Sequence, residues 1–369
     1  MSTTARPFTI AVPQARLDSI RERLAIAEVG YAPADDADWK YGTDAAYLAD
    51  FRRYWLDHYD WRAAEAELNR LPQFTAAIDG LDIHFIHVRG DGGGGRLPLL
   101  LTHGWPGSVV EFQAAIPLLA AQGFDLVIPS LPGYGWSSRP ASPIGPRAVA
   151  MLWRKLMVDV LGYRRFGAQG GDWGSGISIA LGREHDDVVA AVHVNLLFQL
   201  PMRDASPALI AWRAEMDAIL AREGAYMLEH RTRPQTIGLA LAASPLGFAA
   251  WVLEKLNGWA DTGGNIERRF TKDQLITNIM TYLVNDAVQS AIWLYHGSSL
   301  EQPHTGACKV PFGFASFPGE FVPPPPRADV ERAFKLVRWT EMPSGGHFAA
   351  WEEPSAFAAE VGSFFRQIG

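Results

Sequence analysis

The chain has 369 residues, 48% of them apolar, and a formal net charge of −7. That length allows one large core with an inserted subdomain, or two domains. With no basic cluster the charge balance argues against nucleic-acid or anionic-membrane partners, and a single cysteine, Cys308, excludes a disulfide framework and a cysteine-rich metal site.

Residues 1–7 lack a charged-then-apolar signal pattern and no apolar run is long enough to span a bilayer, so the expected location is cytoplasmic. Residues 1–73 read as an N-terminal helical arm. Leu17, Ile20 and Leu24 share one helix face there, and 47–68 repeats the pattern with Trp55, Tyr59 and Trp61 as packing aromatics. Too short of apolar residues to stand alone, the arm leans on a larger body.

Strands begin at Phe74, where two extended runs flank Asp79-Gly80, the strongest short hairpin signal. Asp91-Gly92-Gly93-Gly94-Gly95 lacks the context of a phosphate loop and reads as a surface turn. Short apolar strands follow at 97–102, 124–129, 165–168 and 188–197, separated by helical stretches at 110–122, 145–161 and 175–183. That alternation predicts an α/β fold with a mostly parallel central sheet flanked by helices. From 201 to 300 the chain is almost all helical, and strand signals return at 308–315 and 335–339 across the stiff run of prolines at 323–326. The expected organisation is a core of 74–200 and 301–369 divided by a helical cap insertion at 201–300.

Phe166-Gly167-Ala168-Gln169-Gly170-Gly171-Asp172-Trp173-Gly174 reads as a strand end, a sharp turn of small residues and a helix start. Gly170 and Gly174 flank Asp172 in the nucleophile-elbow pattern, with a carboxylate where hydrolases usually carry Ser. Such a turn presents a strained central residue at the tip of a sheet. Taken alone, Asp172 is as readily the N-cap of the next helix. Chain order decides: a later carboxylate and then His347, in Ser344-Gly345-Gly346-His347-Phe348, complete the α/β-hydrolase sequence of nucleophile, acid and base. His347 is the expected general base, and Glu320, in Phe317-Pro318-Gly319-Glu320, the acid that orients it. Residues 195–201 hold no carboxylate, while Asp329 and Glu341 are weaker candidates for the acid, with a solvated surface role as the default for both. In His103-Gly104-Trp105-Pro106-Gly107-Ser108 a tight turn leaves the backbone N–H of Trp105 free, beside that of Trp173, as an expected oxyanion hole.

Together Gly170-Gly171-Asp172-Trp173-Gly174, His103-Gly104-Trp105-Pro106-Gly107-Ser108 and Gly345-Gly346-His347-Phe348 resemble the epoxide hydrolases of the α/β-hydrolase superfamily, more narrowly the microsomal and juvenile-hormone branch. The arm's start, Phe8-Thr9-Ile10-Ala11-Val12-Pro13, is similar to that branch, as are Gly224-Ala225-Tyr226-Met227 and Leu253-Glu254-Lys255 in the cap. The membrane-anchoring helix of microsomal members is absent, which implies a soluble bacterial-type member. The resemblance also singles out Tyr226, although Ala225 replaces the family's glycine, and Tyr295 in Trp293-Leu294-Tyr295-His296; Tyr282 has no such support. Phenols, protonated at neutral pH with a reference pKa of about 10, suit an acid that must protonate an opening epoxide.

The implied reaction is conversion of an epoxide and water to a vicinal diol through an ester on Asp172, without cofactor or metal. A serine would form an ether, which has no carbonyl for water to attack. The alternative is a haloalkane or haloacid dehalogenase using the same aspartate, but a departing halide wants indole N–H donors rather than an acid. A ligand-binding receptor on a retired hydrolase scaffold is disfavoured by the joint presence of Asp172, Glu320 and His347. Trp212, Trp251, Trp259 and Phe248 are candidates to line the pocket, and monomer and homodimer both fit.

Overall fold

The computed structural model describes residues 4–92, 95–302 and 307–369, so Gly93 and Gly94 of the glycine run lie outside the described residues. Its strands are β1 (Arg6–Phe8), β2 (Gln73–Ile78), β3 (Leu81–Val88), β4 (Leu99–Thr102), β5 (Leu126–Pro129), β6 (Phe166–Gly170), β7 (Val189–Val194), β8 (Cys308–Ser316) and β9 (Phe334–Glu341). They form one sheet in the order β1-β2-β3-β5-β4-β6-β7-β8-β9.

The two ends of that sheet differ because their connections differ. At Asp79 (φ +49°) and Gly80 (φ +83°) the chain makes the left-handed turn that matches strand twist, closing β2 and β3 into an antiparallel hairpin. From β5 to β9 every pairing is parallel. β4, β5 and β7 are buried at every position, as runs of Leu, Val and Ala require when helices cover both faces. The helix Trp173–Glu184 packs on β6, β7 and β8 from one side. Phe364 and Phe365, on Pro354–Arg366, join the apolar cluster of Leu99, Leu101 and Ile116 on the other.

The arm is not wholly helical: its first residues supply β1, antiparallel to β2. Three residues are too few to show an alternation in sequence. Its helices Gln14–Ile26, Ala45–Asp57 and Trp61–Leu68 are tied down by buried polar contacts. Glu65 accepts the Val12 N–H at 2.7 Å and the Trp61 indole N–H at 3.2 Å. Thr43 donates to the Ala250 carbonyl at 2.6 Å, and Arg16 donates to that of Leu283, so the arm grips the helices inserted between β7 and β8.

That insert runs from the helix Pro207–Glu223 to Trp293–Leu300. Its prolines punctuate rather than break: Pro207, Pro234 and Pro245 each open a helix, where a missing N–H costs nothing. Ser206 and Ser244 cap two of them, accepting the N–H of Leu209 and of Gly247 at 3.0 Å each. The single helix read over 110–122 is instead a 3-10 turn, Val109–Phe112, and a short helix, Ala115–Ala120. Pro117 is the cause, since proline is tolerated only in a first turn. Asp329 is not a solvated surface group: it is buried, accepts the Ser206 hydroxyl at 2.7 Å and pairs with Arg332. Among the described residues no single helix is long and apolar enough to cross a membrane.

Candidate active site

The turn after β6 is as tight as small residues permit. A Cβ on Gly170 would lie 2.1 Å from the Gly174 carbonyl, and one on Gly174 would lie 1.9 Å from the Thr102 carbonyl oxygen. Asp172 sits between them at φ +48°, ψ −125°, a conformation a non-glycine residue adopts at a cost of roughly 1–3 kcal/mol. It precedes the helix Trp173–Glu184, yet its side chain accepts no capping hydrogen bond from that helix. The carboxylate turns to the loop after β4 instead, where the backbone N–H of Trp105 donates to Asp172 Oδ1 at 2.9 Å.

The Trp105–Pro106 peptide is cis. His103 is buried and bridges the turn: Nδ1 lies 2.9 Å from the Gly104 carbonyl and Nε2 accepts from the Leu131 N–H at 3.2 Å. That pattern fixes the neutral tautomer protonated on Nδ1, in keeping with a pKa pushed down to about 4 by burial. No hydrogen bond ties the Trp173 N–H to Asp172, although it opens the same helix.

His347 reaches over the elbow from the loop after β9. Its Nε2 is 3.4 Å from Asp172 Oδ2, and its Nδ1 is 3.0 Å from both oxygens of Glu320, which follows β8. Burial works against a charged ring, but Glu320 and Asp172 outweigh it and hold the imidazole pKa well above its usual value. Glu341 is exposed at the end of β9.

Tyr226, on the helix Ala225–Thr232, stacks on Trp105 with centroids 5.3 Å apart. Tyr295, on Trp293–Leu300, meets Trp105 and Trp173 edge-on at 6.0 and 4.7 Å. Both phenols are buried, and burial first, then the charge of Asp172 among nearby groups, keeps their pKa values well above normal. Tyr282 is spent elsewhere, donating to the Gly107 carbonyl. Of the aromatics considered for the pocket, Trp259 reaches His347 at 5.0 Å and Tyr226 at 5.2 Å. Trp212 donates to the Pro323 carbonyl at 2.9 Å, Phe248 packs on Tyr282, and Trp251 donates to His230 Nε2 at 3.1 Å.

Two residues of the site carry no sequence signal. His230 is fully buried among Trp105, Tyr226 and Tyr295, its pKa pushed down to about 3 by burial and by Lys255. Glu111 lies in the 3-10 turn after β4, within the stretch 110–122 that the sequence reads as helical. Its carboxyl borders a cavity of about 20 Å³ shared with Asp172, His347, Thr102 and Gln169. Burial pushes its pKa up to about 8, with His347 opposing and Asp172 adding. The cavity has room for one water, and Thr102 Oγ1 and Gln169 Oε1 are buried there without a protein partner among the described residues.

A mostly parallel sheet, an aspartate at the elbow after β6, an acid after β8 and a histidine after β9 define an α/β-hydrolase-fold protein. Residues 98–223 match the family description "alpha/beta hydrolase fold", and residues 5–112 match "Epoxide hydrolase N terminus". Juvenile hormone epoxide hydrolase 2 of Ctenocephalides felis is 33% identical over 407 residues, spanning 100% of this chain and 87% of its own length. Epoxide hydrolase 1 of Sus scrofa is 33% identical over 403 residues, 97% of this chain and 88% of its own. The solved structure of the Aspergillus niger epoxide hydrolase superposes with a TM-score of 0.88 at 32% identity, covering 100% of this chain and 97% of the other. The chain belongs to the epoxide hydrolase family.

Proposed function

We propose that the protein hydrolyses epoxides to vicinal diols in two half-reactions through a covalent ester on Asp172. The observation that carries this reading is the division of the carboxylate: Oδ1 is held by the Trp105 N–H while Oδ2 faces His347, beneath a roof that includes two buried phenols. Oδ2 is therefore the attacking oxygen. As it bonds to an epoxide carbon, the C–O bond of the ring breaks and the oxygen takes a proton from Tyr226 or Tyr295. Burial keeps both phenols protonated and ready.

Ester formation removes the charge of Asp172. With that charge gone, His347 gives its resting proton to the phenolate left by ring opening. Still oriented by Glu320, it then accepts a proton from water at Nε2, and the resulting hydroxide adds to the ester carbonyl. Oδ1 becomes the oxyanion, held by the Trp105 N–H with that of Trp173 beside it. Collapse releases the diol oxygen, which takes the proton left on the hydroxyl that had added to the carbonyl. Asp172 returns to a carboxylate and His347 to its protonated state, so that epoxide and water are consumed one for one. Glu111 and the small cavity behind Asp172 suit a waiting water.

The test is rapid-quench mass spectrometry with styrene oxide. His347→Gln should accumulate one substrate mass on the peptide carrying Asp172, and a single turnover in heavy-oxygen water should leave the diol unlabelled. A tag on another residue, or diol carrying the solvent's oxygen at first turnover, overturns the mechanism. Halide release from a chloroalkane without diol formation from any epoxide would favour the dehalogenase alternative. Cell fractionation tests the further proposal of a cytoplasmic location, which recovery in the membrane pellet would refute.

A further inference from the structure

Glu352 lies in the turn of helix that follows the His347 loop, Ala349–Glu352, and its side chain is 0% exposed. The proposed chemistry does not use it, yet both of its oxygens are committed. Oε1 accepts the N–H of Phe348, the residue next to His347, at 2.9 Å, and Oε2 accepts the N–H of Asp261 at 2.8 Å. Asp261 belongs to the insert between β7 and β8, just past the helix Pro245–Trp259. Arg269 closes the arrangement, donating to the Asp261 carbonyl and to Glu353 at 2.7 Å each.

The same segment grips the histidine itself. The N–H of His347 donates to the Trp259 carbonyl at 3.1 Å, and that of Gly345 to Asp261 Oδ2 at 3.3 Å. A Cβ on Gly346 would lie 2.8 Å from both the Asp261 nitrogen and the Trp259 oxygen, so the two segments touch backbone to backbone. The position of His347 between Glu320 and Asp172 is thus set by the insert as much as by the strand before it.

We propose that Glu352 is a positioning residue for ester hydrolysis, its carboxylate clamping the backbone beside His347 to the Trp259–Asp261 segment of the insert. This rests on His347 acting as the base. Because His347 works only on the water, loosening the clamp slows the second half-reaction and leaves the first alone. A displacement of the base on the scale of 1 Å corresponds to about 100-fold in rate.

Single-turnover rapid-quench mass spectrometry with styrene oxide separates the two steps, and it reads only sites folded well enough to be alkylated. For Glu352→Gln the expected result is an unchanged alkylation rate, ester hydrolysis slower by about 10- to 100-fold, and kcat and KM falling together. Glu352→Asp, which keeps the charge but shortens the reach, should fall between. Glu353→Gln, which gives up the same arginine without touching the Phe348 N–H, should leave both steps unchanged. Hydrolysis unaffected in Glu352→Gln, both steps slowed alike, an equal effect in Glu353→Gln, or failure of both Glu352 variants to fold would overturn the proposal. Failure of the parent mechanism reads differently, as the absence of any Asp172 ester in His347→Gln.

Discussion

Glu320→Gln is the sharpest probe of the histidine's electrostatics, because it removes a charge while keeping the shape. Both Glu320 oxygens are 3.0 Å from His347 Nδ1. Two unit charges with centres about 4 Å apart, at an effective dielectric of about 20, interact by about 4 kcal/mol. That is equivalent to roughly a thousandfold in proton affinity, so the acid limb of ester hydrolysis should move down by up to about three pH units. The plateau should fall on the order of 10²–10⁴-fold, since an uncompensated imidazole takes up the water's proton less readily and loses its bidentate anchor. Alkylation, which needs no base, should change far less. The assay is single-turnover hydrolysis of the styrene oxide ester from pH 5 to 9. An acid limb that moved up, or a plateau that survived, would refute the assignment. Stability follows the same sign: a folded pKa raised above the unfolded one stabilises the protein fully below about pH 6.5, an advantage lost as pH climbs through the folded value. Glu320→Gln should forfeit part of that advantage in acid, as read by urea unfolding.

Tyr226→Phe and Tyr295→Phe should each slow alkylation on the order of 10²-fold or more and leave hydrolysis of a preformed ester untouched; slowed hydrolysis with normal alkylation would remove the phenols from ring opening. Glu111→Gln should matter for stability in base. The folded pKa of Glu111 is raised from 4.5 to about 8, so the wild type becomes progressively less stable as pH rises between those values. The variant is spared a penalty that reaches about 5 kcal/mol at most, and equal urea midpoints for the two proteins at pH 9 would contradict the buried placement. Gly174→Ala, with a Cβ 1.9 Å from the Thr102 oxygen, should cost at least about 1–3 kcal/mol or prevent folding, and wild-type thermal stability would show the elbow to be looser than described.

The parts legible in the sequence were those fixed by local rules. The Asp79-Gly80 hairpin and the small residues around Asp172 each impose a backbone geometry that composition announces. Glu111, Glu352 and His230 were silent because burial of a polar side chain depends on what packs over it, and sequence alone reads such residues as solvated. The cap makes this plain. Trp212, Trp251 and Phe248 share an aromatic character with Trp259, yet Trp259 is the one that touches both His347 and Tyr226, while the others are anchored to Pro323, His230 and Tyr282. Helical periodicity predicts which residues are buried, but it is blind to which helix they will meet.

The charge arrangement also accounts for how one histidine can be idle in the first half of the proposed cycle and basic in the second. At rest His347 lies between Glu320 and Asp172, and their joint field keeps its proton on despite burial. A protonated ring beside Oδ2 cannot take a proton from water, so water is not activated before substrate arrives. Alkylation turns Asp172 from an anion into a neutral ester, and of the two charges holding the proton only Glu320 remains. The imidazole pKa must then fall, because burial now opposes a single partner. The histidine becomes a competent base at the moment an ester exists for water to attack. The switch needs no motion; it follows from placing the nucleophile's own charge 3.4 Å from the base that will later free it.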